Sequence, residues 1–195
     1  MKVNKKYQIF CDMDGVLVDF EGAVVEQINK DLKDASVTGK KIKRLRDDLY
    51  RLDRDFITKE DLDKINKEKR LRSARKYMYY RCSNDEDLWA NLPWTKDGKE
   101  LWEEISKYNP FILTAPLDDA ECKNGKFRWI KNNLVPHPEK IFMSHEKYLW
   151  STTSGQPNIL IDDFNINTIP WDNYGGISIL HVNTKNTLEE LKKIC

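Results

Sequence analysis

Long apolar runs are missing from this sequence. No stretch approaches the roughly 20 apolar residues of a membrane-spanning helix, and the opening MKVNKKYQIF lacks the apolar segment of a secretory leader. Cysteine is sparse: Cys11, Cys82, Cys122 and Cys195 show neither metal-ligand spacing nor a disulfide framework. Cys11 sits in an apolar segment, where a small buried thiol is expected rather than a reactive one. His137, His145 and His181 have no partners at diagnostic spacing and are expected at the surface. Repeats and low-complexity tracts are absent as well. Neither a membrane-spanning helix nor a disulfide framework is expected, and a reducing cytoplasm is the expected setting.

Excess charge is also lacking. The formal net charge is +1, so bulk charge names no partner. Its distribution says more, because residues 40–76 carry fifteen Lys or Arg against eight Asp or Glu. Acids interleave throughout, which favours a solvated helical face. The alternative is an electropositive surface for phosphorylated substrates or nucleic acid.

The 195 residues suit one domain, or one domain with an insertion, and can bury a core without a disulfide or metal. Short apolar runs at 7–11, 110–114, 140–143, 158–161 and 177–182 read as buried strands. Helical spacing separates them: Leu101, Trp102, Ile105 and Tyr108, then Phe127, Ile130 and Leu134. A last helix has Leu188, Leu191 and Ile194 on one face, and Thr187 with Glu190 fits a capping box. This alternation predicts an α/β fold, a parallel sheet covered by helices on both faces with the first strand central. Residues 34–90 break the rhythm. They are charged, helical and without a convincing strand, yet Leu49, Leu52, Phe56, Leu62, Ile65, Tyr77, Tyr79 and Tyr80 offer too much apolar surface for a disordered linker. A small helical cap at 34–90 is expected, with 1–33 and 91–195 as the core.

In a doubly wound sheet, chemistry gathers at the carboxyl ends of the strands. The first run, in IFCDMDGVLVDF, delivers Asp12 and Asp14. FILTA delivers Thr114, and ILIDDFN delivers Asp162 and Asp163. Each motif alone often serves as an N-cap or turn. Together they place four carboxylates and a hydroxyl on one sheet edge, which calls for a cation, and an all-oxygen donor set favours Mg²⁺ over zinc.

DMDGVLVDFE, ILTAP, GKFRWIKNNL, EKY and ILIDDFNIN resemble the haloacid dehalogenase (HAD) superfamily of phosphohydrolases. More narrowly, they resemble the 5′(3′)-deoxyribonucleotidase branch and its bacterial and phage-encoded relatives. The likeness spans 7–24 and 89–185 and is poor over the cap. It implies a HAD-like Rossmannoid three-layer sandwich with the cap inserted after the first strand. It implies Asp12 as nucleophile, forming an aspartyl-phosphate, and Asp14 as general acid and then base. Gly15 would make the tight turn, and Thr114 would bond a phosphoryl oxygen. The metal, Mg²⁺, would take a carboxylate oxygen of Asp12, the backbone carbonyl of Asp14 and a carboxylate oxygen of Asp163, with Asp162 orienting ligands from behind. Lys147 matches the family's phosphate lysine. Lys126 is its rival, although a solvent-facing helix lysine is the preferred reading there.

Phe20 matches the family's base-stacking aromatic, and a core phenylalanine is the equal alternative. Trp89 and Trp94 are candidates to line the pocket, whereas Trp102, Trp129 and Trp171 are expected to pack. The implied activity is a Mg²⁺-dependent phosphomonoesterase acting on deoxyribonucleoside monophosphates. The alternatives are a phosphatase of polynucleotide 3′ or 5′ ends, and a non-catalytic nucleic-acid-binding scaffold.

Overall fold

The computed structural model describes residues 7–63 and 66–194. Ile65 and Cys195 lie outside them. Five strands form a parallel sheet: β1 (Ile9–Cys11), β2 (Phe111–Thr114), β3 (Ile141–Met143), β6 (Ile159–Asp162) and β7 (Ile177–Leu180), in the order β3-β2-β1-β6-β7. The first strand is central, as its unbroken apolar run predicts for a strand covered on both faces. Cys11 aligns with Ile112 on one side and Ile161 on the other. Two-residue strands β4 (Thr152–Thr153) and β5 (Gln156–Pro157) form a separate antiparallel hairpin.

Successive side chains of a strand point to opposite faces, which divides the core in two. Ile9, Cys11, Ile112, Ile159 and Ile161 face a large core built with α5 (Gly98–Ile105), α6 (Ala120–Asn133) and α8 (Thr184–Ile194). Phe10, Leu113 and Leu160 face Trp171 of α7 (Asn165–Asn173) in a smaller one. Helices therefore cover both faces. No helix among the described residues is long and apolar enough to cross a membrane.

Between β1 and α5 lie α1 (Phe20–Lys33), α2 (Lys40–Arg51), a 3-10 turn (Lys59–Leu62), α3 (Arg72–Cys82) and α4 (Glu86–Ala90). The chain leaves and re-enters the core at one neck: Asp19 N donates to Pro93 O, and Thr95 N donates to Leu17 O, both at 2.9 Å. Leu49, Leu62 and Tyr77 are buried in this helical cap, whereas Leu52, Phe56, Tyr79 and Tyr80 are exposed. Part of the basic face is matched by acids: Lys59 pairs with Asp19, Arg54 with Asp61, and Arg44 with Asp48. Arg46 works differently. Its guanidinium caps the carboxyl end of α1 through the carbonyls of Asp31, Leu32, Asp34 and Val37.

Three sequence expectations shift. The last helix begins at Thr184, where Asn183 Oδ1 accepts from Asn186 N, so Thr187 lies inside the helix, fully buried, and no capping box forms with Glu190. Phe127 is 51% exposed, because α6 buries Cys122, Gly125, Lys126, Trp129 and Ile130 instead. Trp94 packs edge-on against Trp129, 4.7 Å between centroids, and does not line the cleft.

Gly125 lets α4 lie directly on α6. A Cβ there would stand 2.4 Å from Trp89 Cβ and 2.5 Å from Glu86 O. Gly125→Ala should therefore destabilise the fold by about 1–3 kcal/mol, outweighing alanine's gain in helix propensity of about 1 kcal/mol. Urea unfolding checks this.

Candidate active site

The carboxyl ends of β1, β2, β6 and β7 open into one cleft of about 1070 Å³, roofed by the cap. Its volume is at the upper end of small-molecule sites, roughly 300–1,000 Å³. Asp12 follows β1 directly, its N–H donating to Ile161 O at 2.9 Å, so the sheet ladder itself sets the carboxylate at the cleft floor. The chain then turns tightly through Gly15 (φ +78°), with Gly15 N bonded to Val18 O. A Cβ on Gly15 would fall 2.1 Å from Asp163 Oδ2, so glycine here answers two demands: left-handed backbone, and room for a carboxylate against the turn.

Each aspartate of the first motif has its own buried lysine. Lys147 Nζ lies 2.8 Å from Asp12 Oδ1 and donates to Asp162 Oδ2 at 2.7 Å. Burial alone would lower the Lys147 pKa, but the charges of Asp12 and Asp162 outweigh it and raise it. Lys126 Nζ donates to Asp14 Oδ2 at 2.6 Å and to Thr114 Oγ1 at 3.0 Å. Lys126 is fully buried and also lies under the Trp89 ring, 5.1 Å from its centroid. The expectation of a solvent-facing lysine is thus overturned: α6 turns Lys126 inward, where Asp14, Thr114 and an aromatic face replace water.

Asp12, Asp162 and Asp163 offer carboxylate oxygens within 4.8 Å of one another. Asp162 is fully buried and saturated: Phe164 N and Asn167 Nδ2 donate to Oδ1, and Lys147 and Asn167 donate to Oδ2. Free oxygens for a cation therefore come from Asp12 and Asp163. Desolvation, then the charges of Asp12 and Asp162, push the Asp163 pKa up to about 7. Desolvation and Asp12 push Asp162 up to about 6. Three carboxylates against one lysine leave an excess of negative charge that a hard divalent cation would relieve, and the donor set is all oxygen. Asp14 Oδ1 is buried with no hydrogen-bond partner among the described residues. The Cys11 thiol beneath is inert, its pKa raised by burial and then by Asp12.

Phe20, half-buried on the cleft wall, stacks on Trp89 with centroids 4.7 Å apart and planes 9° from parallel. Both rings line the cleft, so Phe20 is at once a packing residue and a presented face.

No family model matches the chain. Solved structures do match. A hydrolase from Streptococcus pneumoniae TIGR4 is similar over 96% of this chain and 99% of its own, with a TM-score of 0.54 at 12% identity. The HAD-hydrolase YfnB from Bacillus subtilis, bound to magnesium, is similar over 96% and 97%, with a TM-score of 0.53 at 11% identity. The fold is HAD-like. A Thermotoga maritima protein described as a beta-phosphoglucomutase extends the likeness over 97% of this chain and all of its own, at a TM-score of 0.50 and 12% identity.

The HAD-like core gathers Asp12, Asp14, Thr114, Lys147, Asp162 and Asp163 at one sheet edge, with Phe20 on the adjoining wall. Two residues escape the sequence patterns. Lys126 belongs to a helical stripe with Cys122, Trp129 and Ile130, one position off the Phe127 phase. His181 is expected at the surface but is 6% exposed, lines the cleft, and is the first residue beyond β7. A strand reading carried on to 182 hides it, although it occupies the same kind of strand-end position as Asp12. His137 is exposed, and His145 is exposed at the cleft rim.

Proposed function

We propose that the chain is a Mg²⁺-dependent phosphomonoesterase that hydrolyses deoxyribonucleoside monophosphates through an aspartyl-phosphate. The observation that carries this reading is the paired arrangement of Asp12 with Lys147 and Asp14 with Lys126 beside the free carboxylate of Asp163. Asp12 and Asp163 would hold Mg²⁺, which when bound neutralises the carboxylate cluster and the phosphoryl oxygens.

A carboxylate oxygen of Asp12 attacks phosphorus, and the bond from phosphorus to the leaving oxygen breaks. Asp14 delivers a proton to that oxygen. Lys126 holds Asp14 Oδ2 and so orients the carboxylate that exchanges the proton. Asp14 then takes a proton from water as the water attacks the aspartyl-phosphate. The bond from phosphorus to Asp12 breaks, releasing inorganic phosphate and restoring the carboxylate. Lys147 and Lys126 supply fixed positive charge to the phosphoryl group, preorganised by burial.

The stacked Phe20–Trp89 pair supports a nucleobase as the group beyond the phosphate. The matching of Lys59, Arg54 and Arg44 by acids, and the structural use of Arg46, speak against a polynucleotide track across the cap. A screen in Mg²⁺ over mononucleotides, sugar phosphates and 3′- or 5′-phosphorylated oligonucleotides tests the assignment. Mononucleotides should lead; turnover confined to oligonucleotides would refute it.

Phe20→Ala should raise KM for deoxynucleotides roughly tenfold, within the ~1–3 kcal/mol of base stacking on an aromatic. Neutralising Arg44, Arg70 and Arg72 together should leave KM and its weak salt dependence unchanged. A steep salt dependence lost with those arginines would instead indicate backbone contacts. Steady-state kinetics at two ionic strengths separate the outcomes.

Mg²⁺ should raise thermal stability by about 2.7 kcal/mol when present at about 100 times its Kd. Asp163→Asn should abolish that increment. Thermal melts with Mg²⁺ and with EDTA read it directly, and an undiminished shift in the variant would remove Asp163 from the ligand set.

A further inference from the structure

His181 is buried, lines the cleft, and plays no part in the chemistry above. Its backbone N–H donates to Asp162 O at 2.9 Å, which continues the β6–β7 register and fixes the residue at the sheet edge. Behind it, Nδ1 lies 2.8 Å from Thr187 Oγ1. Thr187 is fully buried in α8, and His181 Nδ1 is the only hydrogen-bond partner of its hydroxyl among the described residues. A buried hydroxyl satisfies its proton only by donating it, so Nδ1 is the acceptor and Nε2 carries the ring hydrogen. Burial lowers the imidazole pKa against the opposing charge of Asp97, which keeps the ring neutral. Nε2 has no partner among the described residues, yet it is not one of the sealed, partnerless atoms, so it opens on the cleft.

The sheet order sets its distance from the reacting centre. β7 lies two strands from β1, roughly 10 Å at the usual strand spacing. That is beyond the phosphoryl group held at Asp12 and within reach of the group attached to it. We propose that His181 is a substrate-specificity residue, whose Nε2–H, fixed in that tautomer by Thr187, donates to an uncharged oxygen of the leaving group, a sugar hydroxyl or a base carbonyl. This rests on the phosphomonoesterase reading and adds to it a hydrogen bond that selects the substrate.

Ring ¹⁵N shifts of His181 in the free protein should show hydrogen on Nε2 and none on Nδ1. Thr187→Val should lose that preference and Thr187→Ser should keep it. Hydrogen on Nδ1 in the wild type would overturn the proposal. Binding of dUMP to the Asp12→Asn protein in Mg²⁺ should shift the Nε2–H resonance, and no shift would also overturn it. Kinetically, His181→Phe should lower kcat/KM for dUMP roughly five- to tenfold more than for p-nitrophenyl phosphate. An equal excess penalty on abasic deoxyribose 5-phosphate assigns the sugar hydroxyl as acceptor; an excess confined to dUMP assigns the base carbonyl. Equal loss on all three esters would overturn the proposal. Should the wild type hydrolyse none of them while dUMP still shifts the resonance, the hydrolase reading falls and the donor assignment to a bound leaving group stands.

Discussion

Asp12→Asn should fold normally and turn over substrate at least about 10⁴-fold more slowly than the wild type. An amide cannot attack phosphorus at a useful rate, and loss of a nucleophile in comparable covalent mechanisms costs roughly 10⁴–10⁶-fold. The fold should survive because Lys147 keeps its bond to Asp162, and because removing one charge relieves the crowding that pushes Asp162 and Asp163 upward. The melting temperature should therefore stay level or rise while kcat collapses. Near-normal kcat in the variant would eliminate the covalent mechanism.

Lys126→Met should cost both stability and activity, which separates it from substitutions at Asp12. The lysine is fully buried, and its loss strands Asp14 Oδ2 and Thr114 Oγ1 together. Breaking a buried ion pair costs roughly 3–5 kcal/mol; Asp14 is 28% exposed, so the lower end, about 3 kcal/mol, is expected. With Asp14 no longer oriented, kcat should fall about 100-fold or more. Adding Asp14→Asn to Lys126→Met should recover most of the stability and none of the activity, because the stranded charge is then gone. Urea unfolding of the three variants gives the coupling. Wild-type stability in Lys126→Met would mean that the pair contributes nothing to the fold.

The strands were legible because parallel strands covered on both faces are continuous apolar runs, and IFC, FILT and ILID leave little choice. The acids were legible by the same route, since a strand end dictates where the next side chain emerges. Helix phase was harder to read. In α6 the expected stripe of Phe127, Ile130 and Leu134 holds at Ile130 and Leu134, which are buried, and fails at Phe127, whose neighbour Lys126, a residue that hydropathy places outside, is buried instead. Only partners distant in sequence, Asp14 and Thr114, make that burial tolerable. Asn183 precedes Thr187 and captures the helix start, so a valid capping pattern had no terminus to cap. The β4–β5 hairpin is two residues a side and polar, too short for any periodicity. In the cap, apolar content announced a fold without saying which side chains would face out: Tyr77 is buried with its hydroxyl on Asp31, whereas Tyr79 and Tyr80 on the same helix are exposed.

Phosphorylation of Asp12 is the most direct test of the mechanism. Asp14→Asn protein, which should discharge the acyl phosphate slowly, is mixed with p-nitrophenyl phosphate, whose phenolate leaves without a proton, and Mg²⁺, quenched in acid, reduced with borohydride and mapped by mass spectrometry. The expected result is reduction at Asp12 alone, dependent on substrate and absent from Asp12→Asn. Release of phosphate with Asp12 never modified, or trapping at any other residue, would contradict it.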